Sequence, residues 1–104
     1  MARMPAQYKG IQGRYKKVMA ALENLGKATK AAGPLKKKTS ELVQLAAAAA
    51  VRSEGSVHSH ARRALAAGAT AEEVRHAIVL LTSTIGFPAV SAALSWADDV
   101  LEKK

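Results

Sequence analysis

The stretch Ser53-Glu54-Gly55-Ser56-Val57-His58-Ser59-His60 separates two apolar helical patterns, and its register decides how the chain is interpreted. Before it, an alanine run at 46–50 belongs to a helix that can be buried on nearly every side. The first four residues of the stretch break that pattern, and a third helix is predicted to follow through Ala67. In that helix Ser56 and His60 are four residues apart, so both lie on one face within hydrogen-bonding reach.

Two helices are predicted on the N-terminal side of this stretch. Residues 6–25 form the first, with Gly26 ending it and a linker at 27–35. Its apolar residues make one stripe at helical spacing: Tyr8, Ile11, Tyr15, Val18, Met19, Leu22 and Leu25. The second helix is predicted from about Lys37 or Ser40 to Arg52, capped by Thr39 or Ser40, with Glu41 in its first turn.

The C-terminal side carries clear helix boundaries. Gly68 is predicted at the C′ position of the third helix, and Thr70-Ala71-Glu72-Glu73 is a capping box that begins the fourth. Residues 77–96 carry no charge, but the break at Gly86-Phe87-Pro88 argues against a membrane span. Gly86 is expected to end one helix, and the next is expected to continue to about Leu101. These apolar helices are predicted to line a core and a subunit interface.

Composition and charge limit the function classes. The 104 residues are expected to form a single all-α domain, 1–104, with few aromatic side chains and many alanines. Because the chain has no cysteine, disulfides, thiolate metal sites and catalytic thiols are excluded.

The charge is unevenly distributed along the chain. Residues 1–38 carry ten basic side chains and one acidic one, whereas residues 39–104 carry six basic and seven acidic ones. The basic part suits an anionic partner, but no nucleic-acid motif accompanies it, so we do not expect nucleic acid as a partner. Met1–Pro5 shows no secretory signal, and a cytoplasmic location is expected.

Taken together, this register, the helix order and the turns resemble the carboxymuconolactone decarboxylase/AhpD-like family. The family's redox motif is Cys-x-x-Cys-x-x-x-His with a glutamate twelve residues before the first cysteine. Here those positions are Ser53, Ser56, His60 and Glu41. The Gly-Ala-Thr-x-Glu-Glu turn and the Thr-Ile-Gly-Phe-Pro segment at 84–88 add to the likeness, which covers roughly residues 5–102.

The resemblance implies a helical bundle of about five helices that assembles as a homo-oligomer, commonly a trimer or a hexamer. In AhpD-like members the cysteine pair reduces a disulfide or a hydroperoxide, and the glutamate and histidine relay protons. A second branch decarboxylates a lactone, has no cysteine pair and keeps the histidine that falls at His60. Glu41 favours the first branch, whereas the absence of thiols favours the second or neither.

Physical chemistry ranks these candidate site residues. A serine hydroxyl at Ser56 needs a positioned base to react, so Ser56 is predicted to cap the third helix instead. His60 paired with Glu41 is suited to proton transfer near neutral pH. A hydrolytic Ser56-His60-Glu41 triad lacks any oxyanion-hole motif and is not favoured. His58 and His60 point apart on a helix, and His76 has no partner legible in sequence. No metal and no cofactor are therefore predicted.

Three functions remain open from the sequence. The first is an AhpD-like scaffold for thiol-dependent hydroperoxide or disulfide reduction, inactive as given because serine occupies both cysteine positions. The second is a cysteine-independent, His60-centred acid–base enzyme on a small anionic substrate, in the manner of carboxymuconolactone decarboxylase. The third is a non-catalytic oligomeric binding protein. All three share a homo-oligomeric helical scaffold outside the membrane.

Overall fold

The structure is a computed structural model, and it describes residues 6–102. This part of the chain is helical, with no strand. Its seven helices are α1 (Ala6–Arg14), α2 (Lys16–Ala31), α3 (Lys37–Ala50), α4 (Glu54–Ala66), α5 (Ala71–Val79), α6 (Thr82–Ile85) and α7 (Phe87–Leu101). The all-α prediction is confirmed. The segment 1–5, for which no secretory signal was predicted, lies outside the described residues.

The chain divides into two compact units, residues 1–35 and residues 36–104. The first unit contains α1 and α2, which contact each other. The second contains α3 to α7. In it α3 packs most extensively against α4, and α4 and α5 both pack on α7. The second unit therefore brings together the helices that carry Glu41 and His60.

The core of the second unit is built mainly from small side chains. Seven of the twelve residues in its buried cluster are alanine, and the larger members are Leu45, Val57, Val74, Ile78 and Val90. Alanines on three helices are fully buried at Ala49, Ala61, Ala64, Ala93 and Ala97. A side chain that ends at Cβ lets one helix backbone approach another closely, which explains how so few aromatic residues suffice. Trp96 lies partly buried against this cluster, whereas Phe87 is exposed.

Three helix boundaries after Ala67 follow the sequence prediction, whereas the break at Leu80 and Leu81 between α5 and α6 was not predicted. Gly68 has a φ of +102°, and the amide of Ala69 bonds the carbonyl of Ala64, which is the Schellman ending of α4. Thr70 and Glu73 form the predicted capping box at the start of α5. Gly86, with a φ of +92°, separates α6 from α7. Each boundary rests on a residue whose backbone or side chain suits it.

The N-terminal boundaries differ from the prediction. The expected single helix at 6–25 is two helices that meet at Tyr15, whose backbone leaves the helical region with φ −124° and ψ 60°. Helix α2 then continues past Gly26 to Ala31, so the predicted stop and most of the predicted linker at 27–35 are wrong. An interior glycine costs a helix only about 1 kcal/mol, which neighbouring residues offset. The extra break and the short α6 raise the number of helices above the five expected.

The start of α3 also differs. Its N-cap residue is Lys36, with no side-chain capping bond, so neither Thr39 nor Ser40 caps it. Glu41 lies in the second turn of α3 and not in the first, where acidic residues are absent. None of the described helices is both long enough and apolar enough to cross a membrane, and residues 77–96 are divided among three of them.

Candidate functional site

The site lies where α3 ends and α4 begins. Helix α3 closes in a Schellman motif: the amide of Arg52 bonds the carbonyl of Ala49, and the amide of Ser53 bonds that of Ala48. Arg52 occupies the left-handed position of this motif, with φ 56°. Because the reversal takes only three residues, α4 returns directly alongside α3. The face of α4 that carries His60 thus meets the face of α3 that carries Glu41.

Glu41 and His60 form a hydrogen-bonded pair across these two helices. His60 Nδ1 lies 2.8 Å from Oε1 of Glu41. The Glu41 side chain is 2% exposed and that of His60 is 17% exposed. A carboxylate held out of water interacts more strongly with a ring N–H than an exposed one does. With Nδ1 bound in this way, the ring orientation is fixed, and Nε2 is the nitrogen that remains for proton exchange.

A pocket of about 280 Å³ adjoins this pair. Its lining residues come from α3, its C-cap and α4: Gln44, Ala47, Ala48, Val51, Ser56 and His60. The α3 members recur at helical spacing and so form one strip of that helix. Gln44 donates from its amide nitrogen to the carbonyl and the hydroxyl of Ser40, at 3.1 Å and 3.0 Å, which holds it in the wall. The pocket thus combines an apolar wall with a few oriented polar groups.

Ser56 does not cap α4, so that prediction is wrong. The N-cap residue is Ser53, and Ser56 lies three residues further on, in the first turn. Ser53 itself makes no side-chain capping bond. Ser56 lines the pocket together with His60, whereas Ser53 lies outside the lining residues. Two of the four predicted site residues, Ser56 and His60, therefore line one pocket, Glu41 is joined to it through its hydrogen bond with His60, and Ser53 is not a lining residue.

Gln44 was missed by sequence reasoning, although a signal for it existed. It is three residues after Glu41, so a helix places both on neighbouring positions of one face.

The other two histidines, His58 and His76, do not line the pocket. His58 Nε2 is 3.0 Å from Oδ2 of Asp99 on α7, and His76 is an exposed residue on α5. His58 and His60 thus have different partners, in agreement with the prediction that their rings point apart.

The fold and the site define an all-helical protein with a carboxylate–histidine pair beside a small pocket. The model of the carboxymuconolactone decarboxylase family matches residues 16–99, and the chain belongs to that family. The matched segment covers most of the chain and includes Glu41, Ser53, Ser56 and His60. Comparisons with curated proteins and with solved structures return no significant match.

Proposed function

We propose that this protein is a cysteine-independent proton-transfer enzyme that acts on a small carboxylated substrate such as a lactone. The observation that carries the proposal is the 2.8 Å pair between buried Glu41 and His60 at a pocket. His60 is the group that exchanges a proton with the substrate, and Glu41 positions its ring. Membership of the carboxymuconolactone decarboxylase family supports the substrate class. The net charge of +8 favours the approach of an anion.

The reaction requires the delivery of one proton to the substrate carbon that loses its carboxylate. In a decarboxylation, the bond between the substrate carbon and its carboxylate breaks and CO2 leaves. The electron pair of that bond stays on the substrate, where it takes up a proton. Protonated His60 supplies this proton from Nε2, while Glu41 accepts the hydrogen bond from Nδ1–H and stabilises the ring cation. Water then returns a proton to His60, so the net consumption is one proton for each CO2 released.

The pocket is shallow and open to solvent, so its lining indicates the polarity of the substrate rather than a limit on its size. A volume of about 280 Å³ is at or below the small end of typical ligand pockets, which begin at about 300 Å³. Ala47, Ala48 and Val51 offer apolar contact to a ring. Ser56 offers its hydroxyl to a ring or carboxylate oxygen, and Gln44, whose amide nitrogen donates to Ser40, offers its carbonyl oxygen to a hydroxyl of the substrate. A small oxygenated acid suits this lining.

The test is turnover of carboxylated unsaturated γ-lactones, followed by CO2 release and ultraviolet absorbance. We expect His60→Gln to lower kcat by about 10²–10⁴-fold, the usual contribution of general acid–base catalysis. Glu41→Gln should lower kcat less and should also change the pH profile, which a purely structural defect would not do. His76→Gln is the matched control, because His76 is exposed on α5. Turnover that survives in His60→Gln would refute the proposal.

The thiol-dependent function is a second candidate for the scaffold. Ser53 and Ser56 are at the N-cap and in the first turn of α4, where backbone N–H groups and the helix dipole stabilise an anion. A thiol at Ser56 would therefore have a pKa below the ordinary value of about 8.5. The double variant Ser53→Cys, Ser56→Cys should then consume hydroperoxide, with Ser53→Cys alone as its control. An ordinary thiol pKa and no peroxide consumption would exclude this candidate.

We also propose that the protein self-associates. Val18, Leu22 and Leu25 lie at helical spacing on α2 and are each more than half exposed. Their neighbours on the helix, Ala21 and Ala28, are small and uncharged, so two copies can meet here without opposing their lysines. A second copy of this chain is therefore better suited than an acidic partner to cover this face of α2. The resemblance to the family implies a trimer or a hexamer. Self-association without lactone turnover would favour the non-catalytic binding function.

A further inference from the structure

A second cluster of potential metal ligands lies on the surface, built from residues other than the Glu41–His60 pair. Glu54 and His58 are one turn apart on α4, and Asp99 comes from α7. One donor atom from each of the three lies within 4.8 Å of the other two. His58 Nε2 is 3.0 Å from Asp99 Oδ2 and 4.0 Å from Glu54 Oε2. We propose that these three side chains bind a zinc ion.

The distances fit the dimensions of a zinc site. Zinc bonds nitrogen at about 2.0–2.1 Å and carboxylate oxygen at about 2.0–2.2 Å, usually with four ligands at tetrahedral angles. These bond lengths place neighbouring donors about 3.3 Å apart. The observed separations of 3.0 Å and 4.0 Å lie on either side of that value. The third separation, between the Glu54 and Asp99 carboxylates, is within 4.8 Å, so movements of about 1 Å by these two exposed side chains bring the three donors to zinc spacing, and a fourth position stays open to water.

The chemistry of the donors favours zinc over calcium and magnesium. An imidazole nitrogen with two carboxylate oxygens suits zinc, whereas calcium and magnesium prefer oxygen donors alone. Two carboxylates and a neutral imidazole carry a local charge of about −2, which the ion neutralises. The His58 side chain is 23% exposed and those of Glu54 and Asp99 are 58% and 60% exposed, so the ion can enter without opening the fold.

The placement of the ligands gives the ion a structural role. Helix α4 supplies two ligands and α7 the third, and these two helices pack on each other in the core. A bound ion therefore cross-links α4 and α7 at the protein surface, next to their contact in the core. Sequence reasoning compared His58 only with His60 and predicted no metal, because Asp99 is 41 residues away in the chain.

Isothermal titration of the untagged full chain with zinc chloride tests the site. We expect one ion per chain in the native protein, and affinity at least about tenfold weaker in each of His58→Gln, Glu54→Gln and Asp99→Asn. Losing a group that merely orients a ligand already weakens metal binding by about 10- to 100-fold, so losing a ligand should cost no less. His60→Gln and His76→Gln are the matched controls and should bind zinc as the native protein does.

Two results would overturn the proposal: no zinc binding by the native chain, or unchanged affinity in His58→Gln. Because Glu54 and Asp99 are mostly exposed, their variants are expected to fold, and circular dichroism verifies this for every variant. Cobalt substitution gives an independent measurement. A tetrahedral cobalt site with one imidazole absorbs in the visible range, and this absorbance should disappear in His58→Gln and persist in His60→Gln.

Discussion

Arg52 occupies a backbone conformation that glycine adopts far more readily. Its φ of 56° ends α3 next to Val51, which lines the pocket. For a residue with a Cβ, the left-handed region costs roughly 1–2 kcal/mol. Arg52→Gly should therefore raise the free energy of unfolding by about 1 kcal/mol, less than this cost because glycine also loses more chain entropy on folding.

Urea unfolding measures this effect, and Gly68 supplies the control of opposite sign. Gly68 holds the same helix-ending position after α4, with a φ of +102°. Gly68→Ala should lower the free energy of unfolding, since it places a Cβ in a disfavoured region. A loss of stability in Arg52→Gly would mean that the arginine side chain makes contacts worth more than the strain.

Leu45 is the largest fully buried side chain of the core cluster. Leu45→Ala should destabilise the protein by about 2–5 kcal/mol, because its neighbours on packed helices cannot collapse fully into the space left behind. Val43→Ala on the same helix is the control, since Val43 is 53% exposed, and it should change stability by less than about 0.5 kcal/mol. Equal losses in the two variants would show that the core is not packed as described.

The sequence anticipated the residues of the site better than their contacts. Glu41 and His60 followed from the family resemblance, and their pairing then required only that α4 return beside α3. The capping role expected of Ser56 was wrong because α4 begins three residues earlier, which makes Ser53 the N-cap residue. Asp99 could not be matched with His58, since only the packing of α7 on α4 brings them together.

Among the helices, α5 has the start that its own residues determine most completely, because Thr70 and Glu73 form a capping box there. The Glu73 amide donates to Oγ1 of Thr70 at 3.0 Å, and the Thr70 amide donates to the Glu73 carboxylate at 2.9 Å. Thr70→Ala removes the first of these bonds and should cost about 1 kcal/mol in thermal or urea unfolding. Thr84→Ala, at an exposed threonine of α6, is the control and should have little effect.

Glu73 links the stability of the protein to pH. The backbone N–H of Thr70, followed by the Lys38 ammonium 3.1 Å away, lowers the pKa of Glu73 below its usual value. A lowered folded-state pKa stabilises the protein above the unfolded-state pKa, and this contribution is lost as the pH falls through the folded-state value. Native protein should therefore lose more stability on acidification than Glu73→Gln does. Parallel pH profiles from urea unfolding would contradict this.

Helix ends were predictable where one residue type enforces them. Gly68 and Gly86 have positive φ, and Thr70 and Glu73 form mutual bonds, so these boundaries were legible from sequence alone. The break at Tyr15 was not, because nothing in that residue type requires it. The continuation of α2 through Gly26 was also not predictable, since helix propensity is a weak preference that neighbouring residues override. There the hydroxyl of Thr29 bonds the Gly26 carbonyl at 2.9 Å.

For the molecule as a whole, self-association can be tested at the exposed face of α2. A charge placed in the middle of a buried apolar contact disrupts it, so Leu22→Glu should lower the oligomer population at a given concentration. Ala20→Glu adds the same charge to an exposed position of α2 outside the stripe and is the matched control. Sedimentation velocity measures both. Equal behaviour of the two variants would place the contact elsewhere.

The two units contain different aromatic chromophores, so the unfolding of each unit can be followed separately by spectroscopy. Both tyrosines, Tyr8 and Tyr15, belong to residues 1–35, and the only tryptophan, Trp96, belongs to residues 36–104. Because Trp96 lies partly buried against the core, its emission should shift to the red when α7 leaves that core. Excitation at the red edge of the absorption band selects this ring alone, and tyrosine absorbance reports on the N-terminal helices. Native protein without any label can therefore reveal whether the two units melt in one transition or two.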